Sequence, residues 1–248
     1  MCRHLAYLGP PIPLAALLYD APHGLVTQSW TPRDMRGGGT INADGFGIGW
    51  YPGTAPEPLR YRRASPIWTD RTLPALAGAT TAGAVLAAVR SATVGMPVTE
   101  SAAAPFGEGR WLFSLNGVVH GWPDTLAPLA AELPTRDLLT LEAPTDAAAL
   151  WALVRHRLRA GTDPVTAIID TLRAVRAAAP ASRLNLLLTD GSTVVASTVG
   201  HALSVRADGA ATLICSEPLD DDPGWLAVPD AHLVTAIAGK FDLEPLHW

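Results

Sequence analysis

The chain is poor in cysteine. It has two in 248 residues, Cys2 and Cys215. Two cannot make the disulfide framework of a small secreted domain, and they lack metal-ligand spacing. A reducing cytoplasm is their natural setting. An excess of basic charge is also missing. The formal net charge is −5, and outside Arg60-Tyr61-Arg62-Arg63 the basic residues are scattered, so a phosphate-backbone partner is not expected. That short run reads as a solvated face or loop. A membrane-spanning run is lacking as well. The apolar residues 5–19 follow Arg3 and His4 like a crude signal peptide, but Pro10, Pro11 and Pro13 break them. Residues 72–89 carry no charge, but Thr, Gly, Pro and Ala leave them short of the ~20 strongly apolar residues of a span. The seven histidines are dispersed without HExxH or similar spacing, so no metal is expected. There is no internal repeat and no low-complexity linker.

What is present is enough apolar residue, 48%, for one large core. The length fits one domain or at most two. Strands are predicted at His4–Leu8, Asp44–Tyr51, Ala84–Val89, Trp111–Val119, Arg183–Leu188, Val194–Ser197 and Ala211–Ile214, with apolar residues at period two in Asp44–Tyr51. The glycines at 45, 47 and 49 suit a strand that other backbone approaches closely. Asp190-Gly191 and Asp208-Gly209 read as turns. Helical spacing predicts one or two turns at Leu14–Tyr19, a helix at Leu126–Leu133, and longer helices at Asp146–Ala160 and Pro164–Ala179. Strands, then helices, then strands again imply an α+β fold of two antiparallel sheets with helices outside.

The start, Met1-Cys2-Arg3-His4-Leu5, carries a chemical possibility. Cysteine is small, so an aminopeptidase can remove Met1 and expose a thiol and an α-amine on one residue. The amine, with an ordinary pKa of ~7.7–8.0, lies near the thiol at ~8.5. It can take the thiol proton and return it to a leaving amine. The plain alternative is a chance cysteine at a frayed terminus, although a strand pattern starts at once.

Further motifs follow in order. They are Ala43-Asp44-Gly45-Phe46-Gly47-Ile48-Gly49-Trp50-Tyr51, Val89-Arg90-Ser91-Ala92-Thr93-Val94-Gly95, Asn116-Gly117 and Thr145-Asp146. Together behind Cys2 they resemble the class II glutamine amidotransferases, which are N-terminal-nucleophile (Ntn) hydrolases, over roughly residues 2–150. The tail Cys215-Ser216-Glu217-Pro218-Leu219-Asp220, with Gly224-Trp225, narrows the resemblance to standalone γ-glutamyl hydrolases of ergothioneine biosynthesis. The resemblance implies a four-layer αββα sandwich. It also implies a small-molecule γ-glutamyl substrate, no cofactor and no obligatory protein partner. In that narrower group the leaving group is hercynylcysteine sulfoxide. The alternative is a glutaminase subunit that supplies ammonia to a separate synthase.

The resemblance also assigns roles. Cys2 is the nucleophile. Arg90, at the end of a predicted strand, is the cation for the substrate α-carboxylate, since guanidinium grips carboxylate as a fork; an ordinary surface arginine is the alternative. Thr93 adds a hydroxyl, while family members often carry His where this chain has Val94. Asp146 is the anion for the α-ammonium, although Thr145 and Asp146 also suit a helix N-terminus. Asn116 and Gly117 form the oxyanion hole, where one donor is typically worth ~10²–10³ in rate; a tight turn is the alternative. Asp44-Gly45 reads as structural, and Cys215 as a buried apolar residue. Trp30, Trp50 or Trp225 could line a pocket for an aromatic leaving group.

Overall fold

The computed structural model describes residues 2–36, 41–53 and 55–248. Among these, thirteen strands run in chain order: β1 (Arg3–Pro13), β2 (Phe46–Trp50), β3 (Leu59–Arg63), β4 (Thr81–Val89), β5 (Phe106–Glu108), β6 (Trp111–Val118), β7 (Arg183–Thr189), β8 (Val194–Thr198), β9 (Ser204–Ala207), β10 (Thr212–Cys215), β11 (Leu226–Ala227), β12 (His232–Ile237) and β13 (Lys240–Pro245). The helices are α1 (Leu25–Gln28), α2 (Leu73–Ala79), α3 (Ala127–Ala130), α4 (Thr135–Leu139), α5 (Asp146–Arg159) and α6 (Pro164–Ala178). One sheet has the order β11-β9-β10-β1-β4-β2-β3 and the other β13-β12-β8-β7-β6-β5. Their pairings are antiparallel.

The alternation of β1 shows how the layers arise. Leu5 and Tyr7 face outward into a core with Leu17, Leu25, Leu73 and Ala77. Ala6 and Leu8 face inward, where Leu86 and Ile214 of their own sheet meet Leu112, Leu187 and Val234 of the other. On the far side of the second sheet, Leu115, Leu184, Leu186 and Leu188 pack on Leu150, Trp151, Leu153, Ile168 and Leu172 of α5 and α6. A period-two strand buried on both faces needs cover on both sides. The result is helix, sheet, sheet, helix.

Some elements differ from the sequence-based expectation. β1 runs on through the prolines to Pro13, with a register shift between Leu8 and Ile12; a bulge tolerates proline because the ladder is already interrupted there. The basic run is the edge strand β3, where Arg60 and Arg62 pair with Glu142 and Arg63 with Glu100. Charge on an edge strand blocks pairing with further chains. The segment 126–133 is helical only over Ala127–Ala130, since Pro128 suits a first turn and Pro134 follows closely. The uncharged residues 72–89 divide into α2 and β4, and no helix among the described residues is long and apolar enough to cross a membrane. The glycines of β2 serve close approach: a Cβ on Gly47 would lie 2.3 Å from the Ala104 carbonyl oxygen.

The inter-sheet layer contributes to stability. Leu86 is fully buried in it, and Leu86→Ala is expected to cost about 2–5 kcal/mol. Urea unfolding measures this; a loss below about 1 kcal/mol would contradict the packing described.

Candidate active site

β1 starts at Arg3 and lies between β4 and β10, so the residue before it is anchored on both sides. Beyond the last ladder pair with β10, the Ser216 N–H donates to the His4 carbonyl at 2.9 Å. The His4 N–H donates to Ser216 Oγ at 3.0 Å. On the other side, Arg3 faces Val89, the last residue of β4. Cys2 therefore comes to rest beside the chain that leaves β4, with its Sγ 3.6 Å from the Ser91 carbonyl oxygen. Met1 lies outside the described residues.

Cys2, Arg90, Thr93, Gly117 and Asp146 line one cleft, with about 500 Å³ of empty space that is partly open to solvent. Arg90 follows β4 directly. Its backbone is pinned to the start of β2, with Arg90 N–H to the Gly45 carbonyl at 2.8 Å and Asp44 N–H to the Arg90 carbonyl at 2.9 Å. The Asp44 carboxylate accepts from the Ala92 N–H at 2.7 Å, so Asp44 shapes this loop as a structural residue. The Arg90 guanidinium donates through Nη1 to the Pro97 carbonyl at 2.8 Å, which leaves further N–H groups on the fork for a ligand. Thr93 is on the exposed turn closed by Met96 N–H to the Thr93 carbonyl at 2.9 Å.

Thr145 and Asp146 divide the two roles that the sequence leaves open. The Thr145 hydroxyl caps α5 by accepting from the Ala148 N–H at 3.2 Å. Asp146 accepts from Val119 N–H at 2.9 Å and from its neighbour Ala147 N–H at 2.8 Å, and it lines the cleft. Burial pushes the Asp146 carboxyl above its ordinary range, against the pull of those hydrogen bonds and of Arg90.

Asn116 and Gly117 lie within β6 rather than in a turn. A Cβ on Gly117 would fall 1.9 Å from the Arg183 carbonyl oxygen of β7, so packing alone requires glycine there. Gly117 lines the Cys2 cleft. Asn116 lies behind it, in a smaller cavity with Arg3, Asp34, His201, Ala202 and Ser216. Its Nδ2 donates to Ser216 Oγ at 3.2 Å. An amide NH₂ has two donors, so Ser216 fixes the plane and one N–H remains. Sequence reasoning missed the apolar wall of Ala102, Ala104, Phe106 and Leu115, which carries no motif. It also missed the part of Ser216, although that residue stands in the quoted tail. Among the described residues no tryptophan lines this cleft. Trp50 is in the outer core, Trp225 donates to Asp220, and Trp30 packs edge-on against Trp68. Cys215 is fully buried. Among the described residues no cluster of His, Cys, Asp and Glu could hold a metal ion.

The chain is 43% identical to the γ-glutamyl-hercynylcysteine sulfoxide hydrolase of Mycobacterium tuberculosis, over 94% of this chain and 92% of that protein. It is 42% identical to the hydrolase of the same name from Mycolicibacterium smegmatis, over 99% of this chain and 100% of that protein. The chain belongs to the γ-glutamyl-hercynylcysteine sulfoxide hydrolase family. No family model matches it. Among solved structures, the glutamine aminotransferase class-II domain protein of Silicibacter pomeroyi superposes with a TM-score of 0.72 at 22% identity, over 99% of both chains. This hydrolase therefore has the class II glutamine amidotransferase fold, and the sandwich expected from the sequence is borne out.

Two histidines near the site are held neutral. Burial pushes His4 down to about 3 and His201 down to about 4. The unfolded chain takes up protons at these positions below ~6.5, whereas the folded protein does not, so their stability is present above pH 6.5 and declines as pH falls towards 4 and 3. His4 alone should lower the unfolding free energy by about 2 kcal/mol between pH 7 and pH 5. Urea unfolding at the two values tests this, and a flat profile would contradict a neutral buried His4.

Proposed function

We propose that this protein hydrolyses the γ-glutamyl amide of γ-glutamyl-hercynylcysteine sulfoxide, releasing glutamate and hercynylcysteine sulfoxide. The carrying observation is that one cleft holds a thiol, a guanidinium and a buried carboxylate, on Cys2, Arg90 and Asp146. A γ-glutamyl group offers a carbonyl, an α-carboxylate and an α-ammonium, which are the matching partners. Membership of the hydrolase family supports the leaving group.

In this reading Met1 is removed and residues 2–248 act as a single domain. Arg90 and Thr93 bind the α-carboxylate, and Asp146 binds the α-ammonium. The α-amine of Cys2 takes the thiol proton, and Sγ forms a bond to the γ-carbonyl carbon. The Asn116 amide and the Gly117 N–H receive the negative oxygen. The C–N bond then breaks as the protonated α-amine of Cys2 passes that proton to the leaving nitrogen. Water attacks the thioester, gives up a proton to the amine, and releases glutamate and the thiol. The reaction needs no protein partner and takes place in the cytoplasm.

Three measurements test this. Cys2→Ala should lose turnover yet still bind glutamate, whereas full activity in that variant would sink the mechanism. Arg90→Lys keeps the charge and loses the fork, and should raise KM by about tenfold or more. The purified protein should release glutamate from the conjugate and leave glutamine nearly untouched. Ready ammonia release from glutamine would instead mark a glutaminase subunit with a partner synthase.

A further inference from the structure

The acyl-transfer steps leave two buried charged groups near Cys2, Arg3 and Glu217, without a use. Arg3 is 2% exposed and Glu217 is 3% exposed. The ladder that pairs Leu5 with Cys215 continues through the His4–Ser216 bonds. One step further it sets Arg3 opposite Glu217. Burial lowers the Arg3 pKa, and Glu217 and Asp34 oppose that fall.

Each of the two groups grips backbone. Glu217 Oε2 accepts from the N–H groups of Arg33 and Asp34, both at 2.9 Å. Arg3 Nη2 donates to the Asp34 carbonyl, and Arg3 Nη1 donates to the Cys2 carbonyl at 3.1 Å. A continuous line of contacts thus runs from Glu217 through residues 33–34 to Arg3 and on to Cys2. Stability alone gives little reason to bury two charged groups here, because apolar groups of similar volume often serve a core as well or better. The line ends on the residue whose placement decides the reaction. A misplacement of about 1 Å at a reacting centre can cost about 10²-fold in rate.

We propose that Arg3 is a positioning residue for Cys2, clamped by Glu217 through residues 33–34, and that it holds the backbone of the terminal residue so that thiol and α-amine meet the γ-carbonyl together. This rests on the reading of Cys2 as the nucleophile. Arg3 touches no substrate and acts through Cys2. The carboxylate and ammonium of the substrate are held elsewhere, by Arg90 and Asp146, so its effect falls on turnover rather than binding.

The test is steady-state kinetics of the purified, Met1-processed protein with γ-glutamyl-hercynylcysteine sulfoxide. The double variant Arg3→Met/Glu217→Gln removes both charges and leaves neither stranded. It should lower kcat by about 10²-fold with KM within about threefold of the parent. Arg3→Lys retains a donor for one of the two carbonyls and should recover part of that loss. Parental kcat in the double variant overturns the proposal. So does a KM that rises in step with the loss of kcat, or an Arg3→Lys no better than the double variant. Should the double variant not fold, Arg3→Lys alone decides: a lowered kcat at unchanged KM supports the clamp, and an unchanged kcat overturns it. A fully active Cys2→Ala would remove the underlying nucleophile reading. An inert Cys2→Ala beside an undiminished double variant removes only the clamp.

Discussion

The backbone ladder that carries β1 between β4 and β10 is the constraint on which the site depends. A chain terminus is ordinarily the loosest part of a fold. Here the strand begins one residue after Cys2, with Arg3 opposite Val89 on one side and His4 bonded to Ser216 on the other. The same ladder places the end of β4, and with it Arg90, beside Cys2. Antiparallel pairing thus brings together residues nearly ninety positions apart, and it does so with main-chain groups that few substitutions can disturb.

The second sheet and its helices supply the rest. The close approach of β6 to β7 leaves no room for a side chain at Gly117, which lines the cleft. The start of α5 brings Asp146, which is partly neutralised by two N–H groups and by the neighbourhood of Arg90. Its carboxylate is pre-paid in hydrogen bonds and still faces the cleft, which is how a buried acid can remain available for an ammonium. Thr145 takes over the helix cap and frees Asp146 from that duty.

Much of this was legible in the sequence, and the reason differs by element. β1, β4, β6 and β7 could be read because each is a short, mostly apolar run buried on both faces. α5 and α6 could be read because each lays a wide apolar stripe on a sheet. The β12–β13 hairpin, β9 and α2 could not. β13 has the pattern of an exposed edge, with Lys240, Asp242 and Glu244 between partly buried neighbours. α2 is only seven residues long and carries Pro74 and Gly78, which interrupt the helical signal. Among the candidate site residues, Cys2, Arg90, Thr93, Gly117 and Asp146 share one cleft, and Asn116 is turned into the cavity behind it. That turn follows from strand alternation, since Asn116 faces the same way as Ser114, which contacts His4 between the sheets. Arg3 and Glu217 stand in the quoted motifs, but their burial gave no readable signal, because charged residues are ordinarily solvated. Only the continued ladder with β10 shows that both are buried.

The central claim is that Cys2 is a free N-terminal residue that carries the γ-glutamyl group. The most direct measurement is mass spectrometry of the protein quenched in acid during turnover and then digested. The account predicts an N-terminal peptide that begins at Cys2, lacks Met1 and carries one γ-glutamyl group in thioester linkage. An N-terminal peptide that keeps Met1 in fully active protein, or a γ-glutamyl group found on Cys215 and not on Cys2, would contradict it.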